Sequence, residues 1–268
     1  MRIGVIGLEK IGTKLSKKLL QKGHQVLGYD LNNLLLQPII DHGGVVTEEM
    51  NTFVDTLNKL RIPVVWLTIP PGENTRETLK FLGDRLKSGS IIIDSSNSNY
   101  KDTVENYHYL KRRNIHLLDI GISGSINGYK NGFCFMVGGD IEAYNFISPV
   151  LYDLASKNGY NYLGPSGSGH LVKMVHNNIE QTFLEAIGEG LNFLEESKIY
   201  NLNIKEITKL WQNGSNLNSS ILELTAGILE KDPHLDLIYG IKGARSKEKD
   251  TFKHKVITSV RKNIWLNK

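Results

Sequence analysis

One helical stretch of the chain carries four polar side chains, three of which could transfer protons. They stand at the spacing i, i+3, i+4 and i+7, and they are Lys173, His176, Asn177 and Glu180. At about 100° per residue, these positions fall within an arc of roughly 100° on one face of a helix. An amine, an imidazole, an amide and a carboxylate would then point the same way, as proton transfer requires. The alternative is a solvent-exposed face on which Lys173 and Glu180 only balance each other's charge.

Apolar residues occupy most of the remaining circumference of this helix. The pattern continues through Leu194, and the residues nearest to the polar face are Leu171, Val172, Met174, Val175 and Ile179. A helix that is apolar nearly all round is usually buried. We therefore expect the helix to be buried and its polar face to line a cavity rather than to meet bulk water.

The composition is that of an ordinary globular protein. The 268 residues, of which 40% are hydrophobic and 22% charged, suffice for one large domain or two smaller ones. No apolar run approaches the roughly 18 residues of a membrane span, and the chain begins with a strand pattern rather than a signal peptide. We therefore predict a cytoplasmic protein with no membrane partner.

The single cysteine, Cys134, bears on both redox state and catalysis. It excludes an internal disulfide and fits a reducing compartment. It stands between Phe133 and Phe135 in an apolar, strand-like run, which favours a packed core residue over a nucleophile.

The net charge of +4 at pH 7 is unevenly distributed along the chain. Residues 242–268 contain nine Lys or Arg and two acidic residues, whereas residues 1–241 contain 23 basic and 26 acidic residues. The excess positive charge is therefore confined to the tail, and basic and aromatic residues do not interleave over the body. We predict no nucleic-acid partner and interpret the tail as a solvated end.

The first half of the chain alternates between strand and helix patterns. Strands are predicted at residues 2–6, 25–29, 62–69, 90–93 and 116–118, and helices at residues 11–21, 75–87 and 103–113. Such alternation is typical of α/β proteins with a parallel, doubly wound, Rossmann-like sheet. The second half is predicted to be all-helical, with further helices at residues 204–212 and 217–229 after the long central one.

A glycine-rich turn follows the first predicted strand. Gly7 and Gly12 enclose it, and Asp30 ends the next strand. In a dinucleotide-binding turn, glycines let the backbone approach the pyrophosphate, and an acid after the second strand accepts hydrogen bonds from ribose hydroxyls. Glu9 stands where the middle glycine belongs, so an ordinary strand-to-helix turn is the alternative. Asp30 has no Arg beside it and favours NAD over NADP, because an acid repels a 2′-phosphate.

Four further motifs are spread along the chain. They lie at residues 91–98 (IIIDSSNS), 119–125 (DIGISGS), 136–139 (MVGG) and 169–177 (GHLVKMVHN). Together they resemble the 6-phosphogluconate dehydrogenases, particularly the short bacterial, NAD-type, decarboxylating form within the β-hydroxyacid dehydrogenase superfamily. The resemblance extends from Met1 to about Ile241, and His176 and Glu180 are the features that favour the phosphogluconate branch.

The resemblance implies a reaction and a role for each candidate residue. The substrate would be a phosphorylated sugar acid, oxidised at C3 by hydride transfer to the nicotinamide and decarboxylated to ribulose 5-phosphate. Lys173 would be the general base and Glu180 the acid that protonates the enol. The implied substrate contacts are Asn97, Ser123, Gly124, Ser125, His176, Asn177 and Gln181. The residues predicted to bind the cofactor are Gly7, Leu8, Glu9, Lys10, Ile11, Gly12, Asp30, Ile69, Pro70, Pro71 and Asn97. Hydride transfer itself requires no metal, and none is predicted.

The chain departs from the family pattern at several of these positions. The residues that replace family glycines are Ser95, Ser96 and Ser125, and Gln181 replaces a tyrosine that helps to bind the substrate phosphate. Family members continue after residue 241 with a glycine-rich segment that ends in Lys or Arg, Trp and Thr, which the tail does not match. Asn97 and Ser123, taken alone, could equally be turn residues.

These patterns lead to one domain scheme and three possible functions. We predict a Rossmann-like NAD-binding domain at residues 1–165, a shortened helical substrate and dimerisation domain at residues 166–241, and a divergent basic tail at residues 242–268. The leading function is oxidative decarboxylation of 6-phosphogluconate in the pentose phosphate pathway and gluconate utilisation, with NAD as the favoured cofactor. The alternatives are a dehydrogenase of another β-hydroxyacid and a catalytically inactive remnant with an altered C-terminus. By resemblance alone, we expect a homodimer.

Overall fold

The computed structural model describes residues 1–124, 128–197, 200–232, 257–258 and 260. Ser125 and most of the basic tail, for which the sequence makes predictions, lie outside this part of the chain. The chain divides into two compact units, the first formed by Met1–His176 and the second beginning at Asn177. Within the described ranges, no helix is both long enough and apolar enough to cross a membrane.

A sheet of eight strands forms the centre of the first unit. In chain order the strands are β1 Arg2–Ile6, β2 Gln25–Tyr29, β3 Val45–Val46, β4 Val64–Leu67, β5 Ile91–Asp94, β6 His116–Ser123, β7 Phe133–Gly139 and β8 Ala155–Gly164. Their spatial order is β3-β2-β1-β4-β5-β6-β7-β8. All neighbouring pairs are parallel except β6 and β7. The predicted Rossmann-like, doubly wound sheet is therefore confirmed, and the predicted bounds of β1 and β2 agree with the structure.

Strand β7 is the exception to the predicted parallel arrangement. Only residues 124–132 lie between the end of β6 and the start of β7. A crossover between parallel strands needs about a dozen residues or more, whereas antiparallel neighbours need only a short connection. Strand β6 also continues well past the predicted residues 116–118, because it pairs with β7 as far as Ser123.

Helices cover both faces of this sheet and follow it in the chain. They are α1 Lys10–Gln21, a 3₁₀ helix Asn33–Leu35, α2 Gln37–Ile40, α3 Met50–Asn58, α4 Glu73–Arg85, α5 Tyr100–Lys111, α6 Gly128–Asn131, α7 Ile141–Leu154, α8 Ser168–Glu196, α9 Ile204–Trp211 and α10 Ser220–Lys231. Strands β4 and β5 are buried at every residue, and alternate side chains enter two separate apolar clusters. Such continuous apolar runs are typical of strands covered on both faces.

The second unit has an apolar core of its own. Leu184 and Leu191 of α8 belong to one buried cluster with Ile204 of α9 and with Leu222 and Leu229 of α10. Ser219 caps α10, since its side chain accepts a hydrogen bond from the N–H of Leu222. The predicted all-helical character of the C-terminal region is confirmed.

The prediction that α8 is buried nearly all round is wrong for the single chain. In the part of α8 that belongs to the first unit, four apolar residues are 38–47% exposed: Leu171, Val172, Met174 and Val175. His170 and Lys173 are 2% and 1% exposed. The two stand three residues apart and share one face of the helix, while the apolar residues beside them point elsewhere. Within the first unit, the buried face of α8 is therefore the one that carries His170 and Lys173.

Candidate active site

Three predicted residues lie together where α8 passes β6. The Nζ atom of Lys173 lies 3.4 Å from Nδ1 of His176. Nε2 of His176 lies 3.3 Å from the hydroxyl oxygen of Ser123. The imidazole therefore links a buried amine to a hydroxyl at the end of β6, which is a suitable arrangement for proton transfer.

Glycines let the first turns of α8 approach the sheet closely. A Cβ atom added at Gly121 of β6 would lie 2.3 Å from Cβ of Lys173. At Gly138 of β7, an added Cβ would lie 2.6 Å from the amide nitrogen of Gly169, and at Gly169 it would lie 2.2 Å from the carbonyl oxygen of Asp119. Any side chain at these positions would push the helix away. The lysine stem is thus packed directly on the backbone of β6.

Asp119 holds the beginning of α8 from within the sheet. It is fully buried, and its two carboxylate oxygens accept hydrogen bonds from the N–H groups of Gly167, at 2.8 Å, and His170, at 2.9 Å. A carboxylate at a helix N-terminus satisfies amide groups that have no partner inside the helix. Asp119 is not among the predicted site residues. A charged residue inside the otherwise apolar strand LLDIG was the available signal.

The loop between β5 and α5 carries Asn97 in an unusual backbone conformation. Asn97 has φ of 59°, in the left-handed region. Asp94 begins the loop, and its Oδ1 accepts a hydrogen bond from the N–H of Ser96. Asparagine tolerates left-handed geometry better than most residues do. The local fold therefore presents the Asn97 side chain from a fixed turn.

The two serines that replace family glycines in this loop have partners of their own. The indole N–H of Trp66 donates to the hydroxyl of Ser95 at 2.8 Å. The hydroxyls of Ser96 and Ser98 lie 2.7 Å apart. The added side chains are therefore accommodated by hydrogen bonds within the loop and to the sheet.

The glycine-rich turn after β1 has the geometry of a dinucleotide cradle. Gly7 has φ of 90°. A Cβ atom added at Gly12 would lie 1.8 Å from the carbonyl oxygen of Gly7, so this position admits no side chain. Asp30, at the end of β2, accepts a hydrogen bond from the N–H of Leu8 at 2.6 Å. The residues present therefore fit a dinucleotide whose pyrophosphate lies at the start of α1, the helix that begins at Lys10 and includes Ile11.

Glu9 does not strain this turn. Its φ of −63° and ψ of −166° are allowed for any residue, and its side chain is exposed. The departure from the glycine fingerprint thus changes charge near the turn without changing its backbone.

The segment after β4 lies beside the same turn. The hydroxyl of Thr68 donates to the carbonyl oxygen of Gly7 at 2.5 Å. The hydroxyl of Thr75 donates to the carbonyl oxygen of Pro70 at 2.6 Å. Side-chain to backbone bonds thus hold the loop that contains Ile69, Pro70 and Pro71, all predicted cofactor contacts. Those contacts stay predictions.

The remaining predicted residues lie elsewhere or outside the described chain. Asn177, Glu180 and Gln181 belong to the second unit, on the continuation of α8. Oδ1 of Asn177 is buried and has no hydrogen-bond partner among the described residues. Nε2 of Gln181 donates to Oε1 of Glu185 at 2.6 Å. Gly124 follows β6 with φ of 87°, and Ser125 is outside the described residues.

Cys134 differs from the sequence-based interpretation in its position. It is half-buried and pairs with Ser123 across β6 and β7, whereas Phe133 and Phe135 point into the apolar core. Burial raises the pKa of the Cys134 thiol, although the positive charge of Lys173 acts in the opposite direction. A thiol that keeps its proton is a poor nucleophile. Cys134 is therefore neither a core residue nor an activated one.

The doubly wound sheet and its glycine turn define the class as a dinucleotide-binding protein. Residues 2–164 match the family model for the NAD binding domain of 6-phosphogluconate dehydrogenase, and residues 169–267 match that for the 6-phosphogluconate dehydrogenase C-terminal domain. The chain therefore belongs to the 6-phosphogluconate dehydrogenase family, within the β-hydroxyacid dehydrogenases. The second match includes most of the tail that sequence inspection had left unaligned after residue 241.

Several curated relatives carry the family name. YqeC of Bacillus subtilis, a provisionally named 6-phosphogluconate dehydrogenase, is 39% identical over 241 residues, or 90% of this chain and 80% of the relative. The NAD(+)-dependent, decarboxylating 6-phosphogluconate dehydrogenase of Haloferax volcanii is 34% identical over 225 residues, or 84% of this chain and 73% of the relative. A Bacillus subtilis enzyme of the same name is 34% identical over 264 residues, and the match covers 93% of this chain and 56% of that longer relative.

Solved structures of two enzymes share the fold. The Plasmodium falciparum 6-phosphogluconate dehydrogenase, described in apo form and with NADP+ or 6-phosphogluconate, matches with a TM-score of 0.77 and 25% identity, over 99% of this chain and 62% of that one. The Mycobacterium tuberculosis 3-hydroxyisobutyrate dehydrogenase matches with a TM-score of 0.68 and 20% identity, over 98% of this chain and 94% of that one. At 20% identity the second likeness shows the fold alone.

Proposed function

We propose that this protein oxidises and decarboxylates 6-phosphogluconate, with release of ribulose 5-phosphate and CO2. One observation carries the proposal: Lys173 is 1% exposed, and its amine lies 3.4 Å from the imidazole of His176. A buried amine beside a proton acceptor is suited to act as a general base. The named activity of the Haloferax and Bacillus relatives supports the choice of substrate.

The proposed chemistry assigns two proton transfers to α8. The chemistry that bound NAD supplies is acceptance of a hydride from C3 of the substrate. Lys173 removes the proton of the C3 hydroxyl as that hydride leaves, which gives a 3-keto acid. Cleavage of the bond to the carboxylate releases CO2 and leaves an enol. Lys173 can protonate the developing oxygen, and Glu180 delivers a proton to the enol carbon.

The substrate contacts are proposed from the polar residues of the motifs that resemble the family. Asn97 and Ser123 supply an amide and a hydroxyl from the ends of β5 and β6, with Gly124 and Ser125 after β6. His176 and Asn177 supply an imidazole and an amide from α8. The buried Oδ1 of Asn177, which lacks a partner in the described chain, supports this role because buried polar atoms are usually hydrogen-bonded.

A second candidate, the oxidation of an unphosphorylated β-hydroxyacid, is favoured by one contact. Gln181 stands at the proposed phosphate contact, and its amide donates to the carboxylate of Glu185. A carboxylate beside this amide would repel a phosphate dianion. The structural likeness to a 3-hydroxyisobutyrate dehydrogenase concerns the fold and leaves this choice to experiment.

The remaining proposals concern cofactor, assembly and location. We propose NAD as the preferred cofactor, because the carboxylate of Asp30 lies beside the turn and would oppose a 2′-phosphate. We propose a homodimer, since the exposed apolar residues at the start of α8 need a cover. We also propose a cytoplasmic location.

A substrate panel tests the function directly. The purified protein is incubated with NAD or NADP and with 6-phosphogluconate, gluconate or a small β-hydroxyacid, and reduced nicotinamide and CO2 are measured. Gluconate is the matched control, because it lacks only the phosphate. We expect turnover of 6-phosphogluconate with NAD and release of CO2. Turnover of unphosphorylated acids alone would select the second candidate, and a folded protein without any turnover would be the inactive remnant.

A further inference from the structure

We propose that His170 is a positioning residue, which fixes the amine of Lys173 by holding one tautomer between α5 and the end of β5. The inference rests on the proposed function only in treating Lys173 as the reacting base. His170 lies one helical turn before Lys173 and takes no part in the proton transfers described above.

Both ring nitrogens of His170 have partners in the interior of the first unit. Nε2 lies 3.1 Å from the backbone oxygen of Asp94, at the end of β5. Nδ1 lies 2.7 Å from the hydroxyl of Thr103, in the first turns of α5. His170 is 2% exposed, and Asp94 and Thr103 are fully buried. Water therefore does not compete for these contacts.

The partners select one tautomer of the ring. A backbone carbonyl oxygen can only accept a hydrogen bond, so Nε2 of His170 must carry a proton. In the Nε2–H tautomer of the imidazole, Nδ1 is an acceptor. The hydroxyl of Thr103 has one proton, and we infer that it donates this proton to Nδ1 at 2.7 Å rather than to the backbone oxygen of Asn99 at 3.2 Å. With the hydroxyl of Thr103 present, both nitrogens of the Nε2–H tautomer therefore have a hydrogen-bond partner.

These contacts connect the helix to both ends of one loop. Asp94 precedes residues 95–99, which include Asn97, and Thr103 follows them in α5. The main-chain N–H of His170 is held in addition by Asp119. The ring therefore sets the distance between the first turn of α8 and the loop that presents Asn97.

Lys173 is sensitive to a shift of this turn because its stem has no free space. Its Cβ lies 2.3 Å from the place of a Cβ at Gly121, which leaves the lysine in close contact with the β6 backbone. A small displacement of the first turns of α8 would shift Lys173 along the β6 backbone and change the 3.3 Å contact between His176 and Ser123. Misplacement of a reacting group by about 1 Å can reduce a rate by about 100-fold.

The kinetic test compares three variants of buried threonines. Thr103→Val removes the hydroxyl with little change in shape, and Thr103→Ser retains it. Thr208→Val is the matched control, because Thr208 is fully buried and donates to the carbonyl of Ile204 at 2.7 Å but has no hydrogen bond to a histidine in the described part of the chain. We expect Thr103→Val to lower kcat by about 10- to 100-fold with an almost unchanged KM for NAD. Thr103→Ser and Thr208→Val should stay near the wild-type kcat. Equal kcat values for Thr103→Val and Thr208→Val would overturn the proposal.

An NMR measurement tests the positioning role of His170 independently of turnover. If the wild-type protein turns over none of the substrates, the proposed function fails, but this test still applies. The protein is labelled with ¹⁵N-histidine and ¹³C-lysine, and Lys173→Met assigns the lysine signal. We expect His170 to be protonated at Nε2 only, and the Lys173 signal to move in Thr103→Val but not in Thr103→Ser or Thr208→Val. A ring protonated at Nδ1, or a Lys173 signal that Thr103→Val leaves in place, would overturn the proposal.

Discussion

Two buried carboxylates, one within β6 and one directly after the neighbouring β7, are bound in different ways. Asp119, level with the carboxyl end of β5, accepts its hydrogen bonds from the main chain, at Gly167 and His170, among the residues that the structure describes. Asp140 follows β7 beside the start of β6, is 7% exposed and accepts from the side chains of Tyr107, Lys111 and His116 at 2.9, 3.0 and 2.9 Å. Asp119 fixes the start of a helix, whereas Asp140 connects three side chains.

The difference separates groups that serve the chemistry from groups that serve stability. The backbone donors of Asp119 belong to the turn that leads to Lys173, so any change there reaches the proposed base. Burial alone would raise the pKa of Asp140, but hydrogen bonds from Lys111, Tyr107 and His116 outweigh it and hold that pKa below its ordinary value. The Asp140 cluster should therefore respond to pH and leave catalysis alone.

The largest effect, on both stability and kcat, is expected for Asp119→Asn. The amide keeps one acceptor but turns an N–H group toward a backbone N–H at the start of α8. We expect a loss of about 2–4 kcal/mol in the free energy of unfolding, from a lost cap and a buried unpaired donor. We also expect kcat to fall more than tenfold at a temperature where the variant is folded, because Lys173 moves. Chemical denaturation measures the loss of stability, and steady-state kinetics measure the fall in kcat. An unchanged kcat would remove the functional distinction between Asp119 and Asp140.

A smaller effect, on stability alone, is expected for Asp140→Asn. Loss of the buried carboxylate should lower the free energy of unfolding by about 2–4 kcal/mol at pH 7, with kcat within about twofold of wild type. The folded-state pKa of Asp140 lies below the unfolded one, so its contribution is complete above the unfolded pKa and disappears as the pH falls through the folded pKa. The stability gap between variant and wild type should therefore close on acidification.

Lys111→Met is the control for the Asp140 variant. Its side chain is 50% exposed, so solvent screening should limit its cost to about 1 kcal/mol or less. Urea denaturation of both variants between neutral and acidic pH measures these values. A gap for Asp140→Asn that is constant with pH would contradict the role given to the carboxylate.

The sheet could largely be predicted from the sequence, because buried strands leave a local pattern. Strands β1 and β2 have apolar runs between turn residues, and their predicted bounds agree with the structure. Strand β8 was missed, since Ala155–Gly164 is a half-exposed edge strand with an irregular register and no apolar alternation. The exposure of the apolar residues on α8 could not be predicted either, because it depends on which elements cover the helix.

The candidate site could be predicted only as far as its motifs reach. Lys173 and His176 follow from helical spacing and resemblance, and the structure places them beside Ser123. The roles of Asp119 and His170 depend on the register of β6 and on packing between distant segments. No local pattern encodes those contacts.

The most direct test of the central claim, that Lys173 is the base of a dinucleotide-dependent dehydrogenase, compares the wild type with Lys173→Met. NAD binding is measured by calorimetric titration, and 6-phosphogluconate is then added while NADH absorbance is recorded. We predict that both proteins bind NAD alike and that the variant turns over about 10²- to 10⁴-fold more slowly. Equal turnover, or a wild type that is folded and does not bind NAD, would contradict the claim.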